Sequence, residues 1–127
     1  MPPKELSGRG TRVLIIDDHR ATAALLRKLL EGFGYEVRVA HTGPDGVRLA
    51  EDWLPNVVLC DIGLPGLDGW DVAVALRQNP ATAHARLVAV TAHDSAEDRK
   101  RSQEVGFDHH MVKPVNPGLL LELLATE

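Results

Sequence analysis

Five times along this chain a short apolar or alternating run, long enough for one strand, gives way to a segment with helical period. Val13 to Ile16, Asn56 to Cys60 and Leu87 to Val90 are near-continuous apolar runs, as strands covered on both faces require, and Tyr35 to Ala40 alternates as a half-buried strand does. A fifth strand carries His109 and His110 and ends at Lys113. Strict alternation of the two element types favours parallel strands joined by right-handed helical crossovers, with helices on both sheet faces. The expected fold is therefore α/β, a doubly wound five-stranded parallel sheet. Among the common orders, 2-1-3-4-5, the flavodoxin-like arrangement, suits five strands and makes strands 1 and 3 neighbours at the topological switch point.

The helices carry their own boundary signals. Leu25, Leu26, Leu29 and Leu30 form the apolar face of the first, which closes on Gly32 and Gly34. The second is expected from about Pro44 to Trp53 with Val47, Ala50 and Leu54 on one side. The third runs from about Gly69 to Gln78 and buries Val72, Ala73 and Leu76. Asp94 reads as the start of the fourth, with Glu97 in the place of a capping partner and Gly106 at its end. Asp98 to Gln103 is so polar that this helix has little to bury and should be largely exposed. Asn116 and Pro117 open the fifth, which carries Leu119, Leu120, Leu123 and Leu124.

Composition narrows the function classes. A chain of 127 residues, 44% hydrophobic, has the size of one domain, here residues 12–127, after a flexible Pro- and Gly-containing lead-in over residues 1–11. The net charge of -4 supplies no excess of basic residues for direct contact with nucleic acid or an anionic membrane. Cys60, the single cysteine, lies in an apolar run, which excludes a disulfide framework and suits a cytoplasmic, reducing setting.

Polar residues gather where the apolar runs stop. Asp17 and Asp18 follow the first strand, Asp61 the third, Thr91 ends the fourth, and Lys113 with Pro114 ends the fifth. In the proposed strand order these ends share the carboxyl edge of the sheet, where open α/β folds bind ligands. Three carboxylates and one ammonium there leave a local charge of about -2, and like charges that close repel. A divalent cation relieves the repulsion, and an all-oxygen donor set of this kind is the usual magnesium arrangement.

Four segments, VLIIDDH (Val13 to His19), VVLCDIGLPGLDG (Val57 to Gly69), VAVTA (Val88 to Ala92) and FDHHMVKPV (Phe107 to Val115), together resemble the response-regulator receiver family from Arg12 to about Ala125. The resemblance implies a phosphorylation switch, rather than a metabolic enzyme, in a two-component or phosphorelay system. Its phosphoacceptor would be Asp61, and its donor a phosphohistidine on a sensor histidine kinase or histidine phosphotransfer protein. By the same resemblance Asp18 binds Mg2+ directly, Asp17 helps position the ion and its waters, and Asp61 and the backbone carbonyl of Gly63 complete the protein ligands. Thr91 matches the hydroxyl that follows the phosphoryl group. Lys113 matches the lysine that pairs with the acceptor, and its peptide bond to Pro114 is cis in the family. The position three before that lysine is commonly Tyr or Phe in the family, a ring that moves between outward and inward states when the acceptor is phosphorylated and so switches the helix 4, strand 5, helix 5 surface; here it is His110. The chain is expected to be either a stand-alone regulator or a receiver module of a hybrid histidine kinase.

Two rival readings come from other classes. A haloacid-dehalogenase-like phosphatase also pairs an Asp nucleophile with magnesium, but it carries a second Asp two residues on, where this chain has Gly63. An inert pseudoreceiver, acting only as a binding module, would lack the acceptor or the acidic pair, and this chain has both. His109 and His110 are adjacent on a strand and point to opposite faces, which disfavours a zinc site. Trp53 and Trp70 read as packing residues.

Overall fold

The computed structural model describes residues 10–92 and 94–126, so most of the expected flexible lead-in lies outside the described residues. The elements run β1 (Arg12–Ile16), α1 (Arg20–Gly32), β2 (Glu36–Ala40), α2 (Gly43–Trp53), β3 (Val57–Asp61), α3 (Gly69–Gln78), β4 (Arg86–Thr91), α4 (Ala96–Val105), β5 (His109–Val112) and α5 (Pro117–Ala125). All four strand pairings are parallel and the sheet order is β2-β1-β3-β4-β5, as expected.

Side chains alternate along each strand, so β1 to β4 each feed two cores, while the edge strand β5 adds only Met111 to one of them. Leu14, Ile16, Val58, Cys60, Leu87 and Ala89 meet Ala50 of α2 and Val72, Ala73 and Leu76 of α3 on one face. Val13, Ile15, Val57, Leu59 and Val88 meet Ala23, Leu26 and Leu30 of α1 and Leu120, Leu121 and Leu124 of α5 on the other. The four apolar side chains of β1 from Val13 to Ile16 are each at most 1% exposed, which is why that run has no polar alternation.

Several expected details are corrected. Leu25 and Leu119 are not core residues but stand 70% and 57% exposed, because each sits one position outside the stripe facing the sheet. Leu54 leaves α2 in a left-handed conformation, φ 56°, and is turned outward. At the end of α1 only Gly34 is left-handed; Gly32 is the last helical residue. The N-cap of α4 is Ser95, whose hydroxyl accepts from the Asp98 N–H, and Asp94 lies before the helix as the ion-pair partner of Arg99. Asp94 and Ser95 are both good caps, and nothing local in the sequence separates them.

α4 is as exposed as its composition implies, with Ser102 its one buried residue. Apart from Val105, packed against the core at its last turn, it is held by polar and stacking contacts. Trp70 Nε1 donates to Ser102 Oγ at 3.1 Å, and the Arg101 guanidinium lies 4.0 Å from the Trp70 ring centre. Arg77 of α3 donates to the carbonyls of Ala83, Ala85 and Gly106 and to Asp108 Oδ2, tying the start of β4 to the turn after α4.

One glycine fixes the approach of α3 to the site edge. A Cβ on Gly69 would lie 2.5 Å from the Asp61 carbonyl oxygen and 2.7 Å from Ile62 Cα, both backbone atoms that have nowhere to go. At Gly63 the nearest atom would be Asp61 Oδ1 at 3.7 Å, an ordinary contact. Gly69→Ala is therefore expected to lose about 1–3 kcal/mol, the usual cost of overpacking, whereas Gly63→Ala stays close to the parent. Thermal melts of the two variants check this, and equal melting temperatures would contradict it.

Candidate functional site

The carboxyl edge of the sheet does collect the expected residues. Asp17 follows β1 and Asp61 closes β3, and these strands are direct neighbours with Ile16 opposite Cys60. Asp17 is 3% and Asp61 8% exposed, while Asp18 faces solvent. Each of the three offers a carboxylate oxygen, and these oxygens lie within 4.8 Å of one another. Such a donor set, oxygen only and crowded with negative charge, fits a hard divalent cation.

Asp17 and Asp61 are held by local turns as well as by strand ends. Asp17 Oδ1 accepts from the His19 N–H at 2.8 Å, and Asp61 Oδ1 accepts from the Gly63 N–H at 3.0 Å. Their other oxygens face one ammonium. Lys113 Nζ is 3.2 Å from Asp61 Oδ2 and 3.3 Å from Asp17 Oδ2. Burial works against the charge on Lys113, but the hydrogen bond to Asp61 and the charges of Asp61 and Asp17 outweigh it and hold the ammonium above the ordinary lysine range.

Backbone contacts aim the lysine. The Lys113 N–H donates to the Thr91 carbonyl at 2.7 Å, one step beyond the β4–β5 ladder, and the peptide between Lys113 and Pro114 is cis. Thr91 is 5% exposed at the end of β4. The edge thus assembles Asp17, Asp18, Asp61, Thr91 and Lys113 from four different strand ends, with Gly63 and Pro114 in the adjoining loops. Cys60, immediately before Asp61, is fully in the core; burial and the charges of Asp61, Asp17 and Asp68 all push its thiol up, so it stays a neutral packing residue.

His110 is in a different place. Its register partner is Ala89, two residues before Thr91, and its side chain is only 9% exposed, with Nε2 3.5 Å from Asp94 Oδ1. Neither ring nitrogen has a hydrogen-bond partner among the described residues. Burial, then the nearby Arg99 charge, lowers its pKa below the ordinary value of 6.5 against the opposing pull of Asp94 and Asp98. His109 points the other way and is exposed, as adjacent strand residues must.

Sequence reasoning missed three supporting residues. Gly69 holds the loop after Asp61 closed, His19 contributes its N–H to Asp17, and the His41 ring bonds the Asp17 carbonyl. A glycine closing the run after Asp61 was a visible signal for the first. Nothing in the sequence marks the other two.

Known proteins resemble this chain in both sequence and fold. The family described as the response regulator receiver domain matches residues 13–125. Response regulator PleD of Caulobacter vibrioides is 36% identical over 109 residues, 86% of this chain and 24% of that protein. Sensor histidine kinase GacS of Pseudomonas protegens is 30% identical over 126 residues, 97% of this chain and 14% of that protein. The chain thus spans about a quarter of PleD and a seventh of GacS. The crystal structure of a CheY-like response regulator receiver domain protein from Methanospirillum hungatei superposes with a TM-score of 0.82 at 35% identity, covering 90% of each chain. With the strand order, the acidic edge and the family match over 113 consecutive positions in agreement, the chain belongs to the response regulator receiver domain family.

Proposed function

We propose that this chain is a working phosphorylation switch whose acceptor is Asp61 and whose donor is a phosphohistidine on a sensor histidine kinase or a histidine phosphotransfer protein. The observation that carries the reading is the single ammonium of Lys113 held between Asp61 and Asp17 inside a triad of carboxylates. An Asp61 oxygen attacks phosphorus in line, the N–P bond to the donor imidazole breaks, and an acyl phosphate forms. Lys113 then has a phosphoryl oxygen to pair with in place of the free carboxylate. The Thr91 hydroxyl, at the buried end of β4, is in reach of the same group by family resemblance. Asp18, Asp61 and the Gly63 carbonyl would hold Mg2+, with Asp17 positioning it, and the ion would supply charge neutralisation on the transferring oxygens.

Sensor histidine kinase GacS carries a segment like this chain, which supports a kinase donor and leaves both a stand-alone regulator and a hybrid-kinase module as settings. A single buried cysteine supports a cytoplasmic one, and none of the helices among the described residues is long and apolar enough to cross a membrane. The dehalogenase-like reading lacks its second acid, since Gly63 has no side chain to donate a proton. On this reading His110 is the residue of β5 that reports phosphorylation to α4 and α5.

Incubation with acetyl phosphate and magnesium should place one labile phosphoryl group on the chain, located by mass spectrometry after borohydride reduction. Asp61→Asn should abolish it, and retained labelling in that variant would sink the assignment. Asp18→Ala should weaken magnesium binding at least about tenfold. Because it removes one of three mutually repelling carboxylates, the metal-free variant should melt no lower than the parent. Calorimetric titration and melts with and without magnesium test this, and undiminished affinity refutes the coordination.

The buried, lowered His110 makes a third outcome. Its folded pKa lies below the unfolded value of 6.5, so the unfolded chain takes up the proton first and stability falls as pH drops below 6.5 toward the folded pKa. His110→Phe removes that titrating group. The parent should therefore lose more stability than the variant between about pH 7.5 and 5, where histidine titrates. Parallel denaturation curves at both pH values would contradict it.

A further inference from the structure

The parallel ladder between β1 and β2 ends with the Asp17 N–H donating to the Ala40 carbonyl at 3.0 Å. In this register the next rung would bring the Thr42 N–H to the Asp17 carbonyl. By then the chain has turned into α2, with Thr42 as its N-cap. The rung is made by a side chain instead, with His41 Nδ1 2.9 Å from the Asp17 carbonyl oxygen. A carbonyl can only accept, so Nδ1 must carry the proton, in the neutral ring and the charged ring alike.

That carbonyl belongs to the peptide unit joining Asp17 to Asp18. Asp17 is otherwise held through its N–H and through both carboxylate oxygens. Asp18 is exposed and stands at the mouth of the site. Fixing the plane of the Asp17-Asp18 peptide sets the direction from which the Asp18 Cα and carboxylate leave the strand. The ring thus acts on Asp18 through backbone, without touching its side chain.

We infer that His41 is a positioning residue for the acidic pair, holding the Asp17-Asp18 peptide so that the Asp18 carboxylate is aimed at a divalent cation. The inference rests on the proposed reading of the site as a magnesium centre. Groups that orient metal-binding residues from outside typically change affinity by about 10- to 100-fold when removed. Here the action passes through one peptide, so the low end applies.

Magnesium is titrated into uniformly 15N-labelled full-length protein, and dissociation constants are read from amide shifts. Melting temperatures are recorded in parallel. His41→Ala should raise the dissociation constant about tenfold and displace the Asp18 amide resonance in the metal-free protein. Asn places its amide Nδ2 where the histidine has Nδ1, so His41→Asn should return affinity to within about twofold and restore the Asp18 resonance. A merely structural role would lower stability without this selective rescue. The inference is overturned if His41→Ala binds magnesium as the parent does, or if His41→Asn is as weak as His41→Ala. Absence of any saturable magnesium site in the parent would instead overturn the proposed function, and the inference with it.

Discussion

The pairing of β1 with β3 decides where the chemistry lies. Both strands are covered on two faces, so neither can slide by one residue without driving apolar side chains into the wrong layer. With the register fixed, the first polar residue after β1 and the last residue of β3 must emerge side by side. Asp17 and Asp61 are brought together by the demands of the apolar cores, not by any attraction between them.

Those cores hold in place an arrangement that is locally unfavourable. Three carboxylates share an edge with one ammonium, and two of them are almost fully withdrawn from water. The desolvation of Lys113 is tolerated because two acids share its charge. The same features that strain the edge make it receptive: negative charge is concentrated where a cation could bind, and the lysine already faces Asp61 Oδ2. A site built this way gives up some stability in exchange for readiness, a pattern typical of functional positions.

Much of this was legible before the fold was known, because strand ends announce themselves where an apolar run meets Asp, Thr or Lys. Asp17, Asp18, Asp61, Thr91 and Lys113 were all placed that way. Part of what the sequence hides has one cause. Arg77 and His41 bond backbone carbonyls that reach them only through tertiary structure, and a carbonyl leaves no mark in a sequence. The misplaced leucines have a related origin. In α1 and α5 consecutive leucines blur the stripe, and only docking on a twisted sheet decides that Leu25 and Leu119 turn outward. Ser95 caps α4 while the Asp94 side chain pairs with Arg99, a division of roles that only the folded chain displays.

The weak apolar attachment of α4 has a consequence of an evolutionary kind. Its outward positions take no part in either core, and Val105 at its last turn, Ser102 with its tryptophan contact and the Arg77 tether fix where the helix lies. Substitutions along most of its length therefore alter what the surface presents while leaving the folding of the sheet and the acidic edge intact. A lineage of duplicated copies can vary this helix widely and keep the same acidic edge beneath it.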